Sequence, residues 1–223
     1  MKRIKLCDRK LPNYTNGEEI MNMVTHIVGG ALGLVVLALC TIRSVLQGAT
    51  LSIVGCIVYG VSIVTLYTIS SVYHGLRPGT AKKVLQVIDH CTIYFLIAGT
   101  YTPILLCAFV NAYPWIGWGL LALQWGLTAL AVTLTAIDLK KYTVFSMICY
   151  IGMGWSIIFF VPQAVAVLTR PGFLWLLAGG IAYTIGAILY GIGAKKHWMH
   201  SVFHIFVVIG SFLQFLAIYL YAL

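Results

Sequence analysis

The amino-acid sequence predicts an all-α integral membrane protein, a seven-transmembrane-helix bundle with its N-terminus in the cytoplasm and its C-terminus outside. Three observations carry this. Of 223 residues, 61% are hydrophobic and 9% charged, against roughly 25% charged in an ordinary soluble domain. The apolar residues gather into seven runs, each near the about 20 residues that cross a bilayer. The basic residues crowd into alternate connections between those runs.

The runs are 24–42, 51–74, 89–110, 115–137, 142–161, 173–194 and 199–223. They are continuous rather than alternating, so they read as helices and not as strands of a barrel. The first stands behind a polar stretch containing Glu18 and Glu19 and is as long as a full span, which marks a retained helix rather than a cleaved leader. Its Gly29 and Gly33 have the spacing that lets helices approach closely. The second ends on Ser70 and His74. The third opens on Asp89 and His90 and carries Pro103, which is expected to kink it and free backbone carbonyls. Tyr113, Trp115 and Trp118 before and within the fourth, and Tyr219 and Tyr221 at the end of the seventh, fit an outer aromatic belt. Connections 43–50, 75–88, 111–114, 138–141, 162–172 and 195–198 are too short to fold separately. The chain is therefore one transmembrane domain, 24–223, behind a short cytoplasmic segment, 1–23.

The formal net charge of +9 invites a nucleic-acid reading, but its distribution excludes one. Lys2, Arg3, Lys5, Arg9, Lys10, Arg77, Lys82, Lys83, Lys140, Lys141, Lys195 and Lys196 fall on one side of the bilayer. Only Arg43 and Arg170 fall on the other. Lys and Arg mark cytoplasmic loops, and the same charges attract anionic headgroups. Six cysteines (Cys7, Cys40, Cys56, Cys91, Cys107 and Cys149) lie far apart without a Cys-x-x-Cys pair. They read as small apolar helix residues.

Alternating helix direction puts all six histidines, His26, His74, His90, His197, His200 and His204, in the cytoplasmic leaflet. Solvation of polar groups at helix ends accounts for any one of them, but not for the spacing. His200 and His204 are four apart, on one helical face, with room for one metal ion between their rings. Ser70 and His74 share a face in the same way. Asp89 is a boundary carboxylate that needs a partner, because a bare charge in hydrocarbon costs at least a few kcal/mol. Three imidazoles with a fourth position open to water are the ligand set of a catalytic zinc site. Asp89 is suited to accept a proton there, and Ser70 to hydrogen-bond the water or a polarised substrate oxygen.

These residues resemble the haemolysin III proteins, grouped with the progestin and adipoQ receptor family and, more distantly, the alkaline ceramidases. The matching pieces are Ser70-Ser71-Val72-Tyr73-His74-Gly75, Asp89-His90, Ala98-Gly99-Thr100-Tyr101-Thr102-Pro103, Gly152-Met153-Gly154-Trp155 and His200-Ser201-Val202-Phe203-His204. Glu18-Glu19, Asn22 and Thr25-His26 look like the bacterial branch. The resemblance implies seven helices, a cytoplasmic N-terminus and zinc (Zn2+) held by His74, His200 and His204, with Ser70 and Asp89 around the metal's water. His26 either solvates a helix end or lines the same cavity. His197 reads as interfacial and His90 as packing, since it points about 100° from Asp89.

The chemistry implied is zinc-dependent hydrolysis of an amide or ester of a membrane lipid, at the plasma membrane. Two other classes stand beside it: a pore-forming or cytolytic protein, as the family name suggests, and a non-catalytic regulator or receptor of membrane state with structural zinc. A pore needs polar lining through both leaflets, whereas the polar residues here concentrate in one.

Overall fold

A computed structural model describes residues 6, 8–193 and 196–223. Lys2, Arg3, Lys5, Cys7 and Lys195, counted in the sequence reading, lie outside the described residues. Among the described residues the chain is helical with no strand: α1 (Asn16–Gln47), α2 (Thr50–Gly75), α3 (Thr80–Pro103), α4 (Val110–Ala112), α5 (Pro114–Ile137), α6 (Thr143–Trp155), α7 (Val161–Gly193) and α8 (Met199–Ala217). A π-helical turn, Ile104–Phe109, joins α3 to α4, a 3-10 turn, Ser156–Phe160, joins α6 to α7, and a second π turn, Ile218–Ala222, extends α8. Six of the resulting helical stretches are long and apolar enough to cross a membrane.

The boundaries differ from expectation in three places, each for a local reason. α1 starts eight residues before the apolar run because Thr15 and Glu18 form a capping box at its head, satisfying amide groups that helix starts otherwise leave open. α3 starts at Thr80, so Asp89 and His90 lie about two and a half turns inside it rather than at its entrance. Only Leu76–Gly79, with Pro78 and Gly79 as helix breakers, makes the turn. Lys82 is tolerated inside the helix because its ammonium group is 2.6 Å from Glu19 and 2.9 Å from the Leu76 carbonyl. Finally, 162–172 is not an irregular loop. Helix continues through most of it and breaks at Thr169 (φ 64°, ψ 166°), two residues before Pro171.

Pro103 behaves as its chemistry requires. It has no N–H to give to the preceding turn, and the hydrogen-bond register slips into the π turn that begins at Ile104, a common way for a helix to absorb such a defect. The bundle packs an apolar core, with Tyr59, Ile63, Ile104, Leu105 and Phe109 buried, but it also buries polar side chains while its outer surface is apolar. Asn22, His26, Ser70 and Gln124 are buried while Leu34, Ile42, Phe159 and Ile188 face outward. That arrangement suits a hydrocarbon surround, where each interior polar group must find its partner within the protein. The Tyr67 hydroxyl donates to Ser211 Oγ at 2.7 Å, and Tyr183 Oη lies 2.8 Å from the same oxygen, tying α2, α7 and α8 together. α1 meets α2 backbone to side chain: a Cβ at Gly33 would fall 2.6 Å from Ile63, and one at Gly29 2.5 Å from the Tyr67 ring. Close helix approach is the role read for both glycines.

Candidate metal centre

Three helices bring the site together. α1 enters it with His26, α2 reaches it in its last turns with Ser70 and His74, and α8 starts in it with His200 and His204. His74, His200 and His204 are all buried, and each offers a ring nitrogen within 4.8 Å of the other two, a group able to hold a metal ion. His200 Nε2 and His204 Nε2 are 3.0 Å apart. Two nitrogens on a tetrahedral zinc, with bonds of about 2.0–2.1 Å, would stand roughly 3.3–3.4 Å apart. The four-residue spacing on one helical face therefore produces the convergence read from it.

His74 completes the donor set through its environment. Its Nδ1 is 2.6 Å from Glu19 Oε2, and its Nε2 is buried without a hydrogen-bond partner. Glu19, ion-paired with Lys82 at 2.6 Å, is an acceptor, so the His74 proton resides on Nδ1 and the Nε2 lone pair is left free. A buried donor or acceptor without a partner costs about 1–3 kcal/mol. A cation among the three rings would satisfy the Nε2 lone pair, which is the physical fit between these residues and a metal.

Around the histidines lies a cavity of about 550 Å³. His26, Ser70, Asp89, His90, His200 and His204 line its polar end, and Leu96, Ile104, Leu176 and Val207 line its apolar reach. Ser70 hydrogen-bonds the Asp89 carboxyl, and the rings of His74 and His90 are among the polar groups near it. His26 stacks on His204 with ring centroids 3.8 Å apart, braced edge-on by Tyr67 at 4.9 Å, and neither of its nitrogens has a partner. Of the two readings left open for His26, the cavity-lining one holds. His90 is satisfied by its surroundings: Nδ1 is 2.7 Å from the Gln86 carbonyl and Nε2 3.1 Å from the Tyr190 hydroxyl. His197 has a side chain 65% exposed, as an interfacial residue should.

The N-terminal segment supplies what sequence reasoning missed. Tyr14 lies flat against His200, with centroids 4.8 Å apart and planes at 17°. Burial pushes its phenol well above the ordinary tyrosine range, so it stays neutral over the centre. Glu19 and Lys82 were visible as charges beside an apolar run, but nothing in their spacing tied them to His74, which is 55 residues from Glu19. The capping-box pattern Thr-x-x-Glu at 15–18 was the one local signal that the helix, and with it the site, begins earlier.

The family described as haemolysin-III related matches residues 14–215. Hemolysin-3 of Bacillus cereus is 37% identical over 206 residues, covering 92% of each chain. A Hemolysin-3 homolog of Bacillus subtilis is 35% identical over 208 residues, covering 93% of this chain and 96% of its own. The human monocyte to macrophage differentiation factor is 26% identical over 177 residues, 74% of this chain and 68% of its own. The match runs from Tyr14, which lies on the His200 ring, past His204, and extends over nearly all of both bacterial relatives; the chain belongs to the haemolysin III family.

Proposed function

We propose that this protein spans the plasma membrane seven times, binds zinc through His74, His200 and His204, and hydrolyses an amide or ester bond of a membrane lipid. The observation that carries the reading is the convergence of three buried ring nitrogens beside a largely apolar cavity that also takes in Ser70 and Asp89. Support for seven spans comes from the helical run Thr143–Gly193, 51 residues long. At about 1.5 Å per residue it would be roughly 76 Å, more than twice the about 30 Å of hydrocarbon. The break at Thr169 separates two helices within it, which supports a reading as two spans. With an odd number of spans and the basic residues inside, the N-terminus is cytoplasmic and the C-terminus outside.

Zinc held by three imidazoles supplies a Lewis acid and a water acidic enough to act as a nucleophile near neutral pH. The remaining roles fall to the chain. Asp89 takes the proton of the attacking water and returns it to the departing amine or alcohol. Ser70 hydrogen-bonds the water or the substrate carbonyl oxygen. The apolar reach of the cavity holds an acyl chain with its reacting carbonyl towards the histidines. Ile151 and Ile158 line the cavity and are also exposed on the flank of the bundle, which favours entry from the bilayer.

The name Hemolysin-3, borne by the bacterial relatives, points to a cytolytic role as the second reading. Apolar side chains such as Ile93, Leu96, Ile104, Leu176 and Val207 interrupt the polar lining of the cavity, which favours hydrolysis over conduction. Incubating the purified protein with lipid amides and esters, with and without a zinc chelator, separates the readings. Chelator-sensitive product supports hydrolysis; ion leakage from liposomes without product supports the pore. If neither occurs, a regulator of membrane state with structural zinc is what stands.

A further inference from the structure

We infer that the adjacent carboxylates Glu18 and Glu19 position the histidine centre, Glu19 orienting the ring of His74 on α2 and Glu18 anchoring the start of α8, which carries His200 and His204. This rests on the metal-binding reading above. Consecutive residues on a helix point about 100° apart, so one turn of α1 reaches two different neighbours.

On the α2 side, Glu19 is held between two cationic or proton-bearing groups: Oε2 at 2.6 Å from His74 Nδ1, and Oε1 at 2.6 Å from Lys82 Nζ. Lys82 is itself 3% exposed, and its ammonium also donates to the carbonyls of Leu76 at 2.9 Å and His74 at 3.3 Å. These carbonyls belong to the last turn of α2 and its cap, where helices leave acceptors open. One buried lysine thus clamps the end of α2 to the carboxylate that sets its histidine. The proton stays on Nδ1 and the ring cannot flip without breaking that contact, so Nε2 is kept facing His200 and His204. A carboxylate behind a histidine ligand fixes its tautomer and raises its basicity.

On the α8 side, Glu18 is 2% exposed and accepts the Trp198 amide N–H at 2.6 Å, with His197 Nδ1 at 3.1 Å. Trp198 is the residue before α8 and has φ 68°, the left-handed region that a side chain of its size rarely adopts. Its indole lies where a side chain on residue 17 would begin, 3.2 Å from a Cβ placed on Gly17. Glu18 and Gly17 together hold the turn from which α8 starts, two residues ahead of His200.

The test is zinc affinity of the full-length, detergent-purified protein, measured by competition with a chromophoric chelator, together with the visible spectrum of the cobalt-loaded form. Wild type is expected to bind zinc. Glu19→Ala should weaken binding about 10- to 100-fold and alter the cobalt spectrum, with helical content unchanged. Glu18→Ala should weaken it less, because the ligands' own hydrogen bonds survive. A merely structural role would lower thermal stability while leaving the affinity and the spectrum of the folded protein as in wild type, and that result in Glu19→Ala overturns the inference. Should Glu19→Ala not fold, Lys82→Met decides: its affinity should also fall, and an unchanged value overturns the inference. A folded wild type that binds no metal removes the metal-binding reading first, and the inference with it.

Discussion

At His74 the two ring nitrogens have separate duties, one given to Glu19 and the other left unpartnered among His200 and His204. That asymmetry distinguishes it from His90, whose nitrogens are both taken by Gln86 and Tyr190. His74→Ala, His200→Ala and His204→Ala should each abolish stoichiometric zinc, since two protein ligands hold the metal poorly. His90→Ala and His197→Ala should retain it. Elemental analysis of folded, detergent-purified variants checks this, and stoichiometric zinc in both α8 variants would sink the site and the hydrolase mechanism together. Asp89→Ala and Ser70→Ala act on the reaction instead. They should keep the metal and slow product formation about 10- to 100-fold, measured on whichever lipid amide or ester proves to be a substrate.

Among the helices, the breaks matter as much as the runs. Pro103 diverts the third long helix through a π turn whose first residue, Ile104, lines the cavity, so the proline shapes the space rather than ending the span. Thr169 is the stranger case. At φ 64° and ψ 166° it occupies a region essentially reserved for glycine, at a cost of order 1–3 kcal/mol. Thr169→Gly removes that strain but loses some to the greater freedom of glycine in the unfolded chain, about 0.5–1 kcal/mol. A net stabilisation of about 1 kcal/mol is expected, read as a higher midpoint for thermal unfolding in detergent with zinc content unchanged. A lower midpoint would mean that the break is not strained.

For the whole molecule, the decisive feature is an exterior as apolar as the core, with isoleucines, leucines and phenylalanine facing outward while histidines, serines and glutamines are buried among the apolar core residues. Such an exterior is stable only against hydrocarbon. Orientation follows from the basic residues. A cysteine appended after Leu223 should react with a membrane-impermeant reagent added to intact cells, and one before Met1 should react only after the membrane is opened. Both ends reacting from the same side would rule out seven spans.

The helical membrane class was legible in the sequence because a bilayer imposes a length and a continuity that few other environments require. His200 and His204 were legible as a pair because helix geometry turns a four-residue spacing into a shared face without help from the rest of the fold. The family motifs pointed to His74 as well. Thr80 as the start of α3, and Glu19, Lys82 and Tyr14 as the surroundings of the histidines, were not legible. Those contacts join residues far apart in the chain, and a buried charge betrays its partner only when packing has brought the two within hydrogen-bond reach. Local periodicity determined the helices and one face of the site; tertiary packing alone decided which carboxylate stands behind which histidine, because desolvation makes that pairing obligatory and spacing along the chain does not encode it.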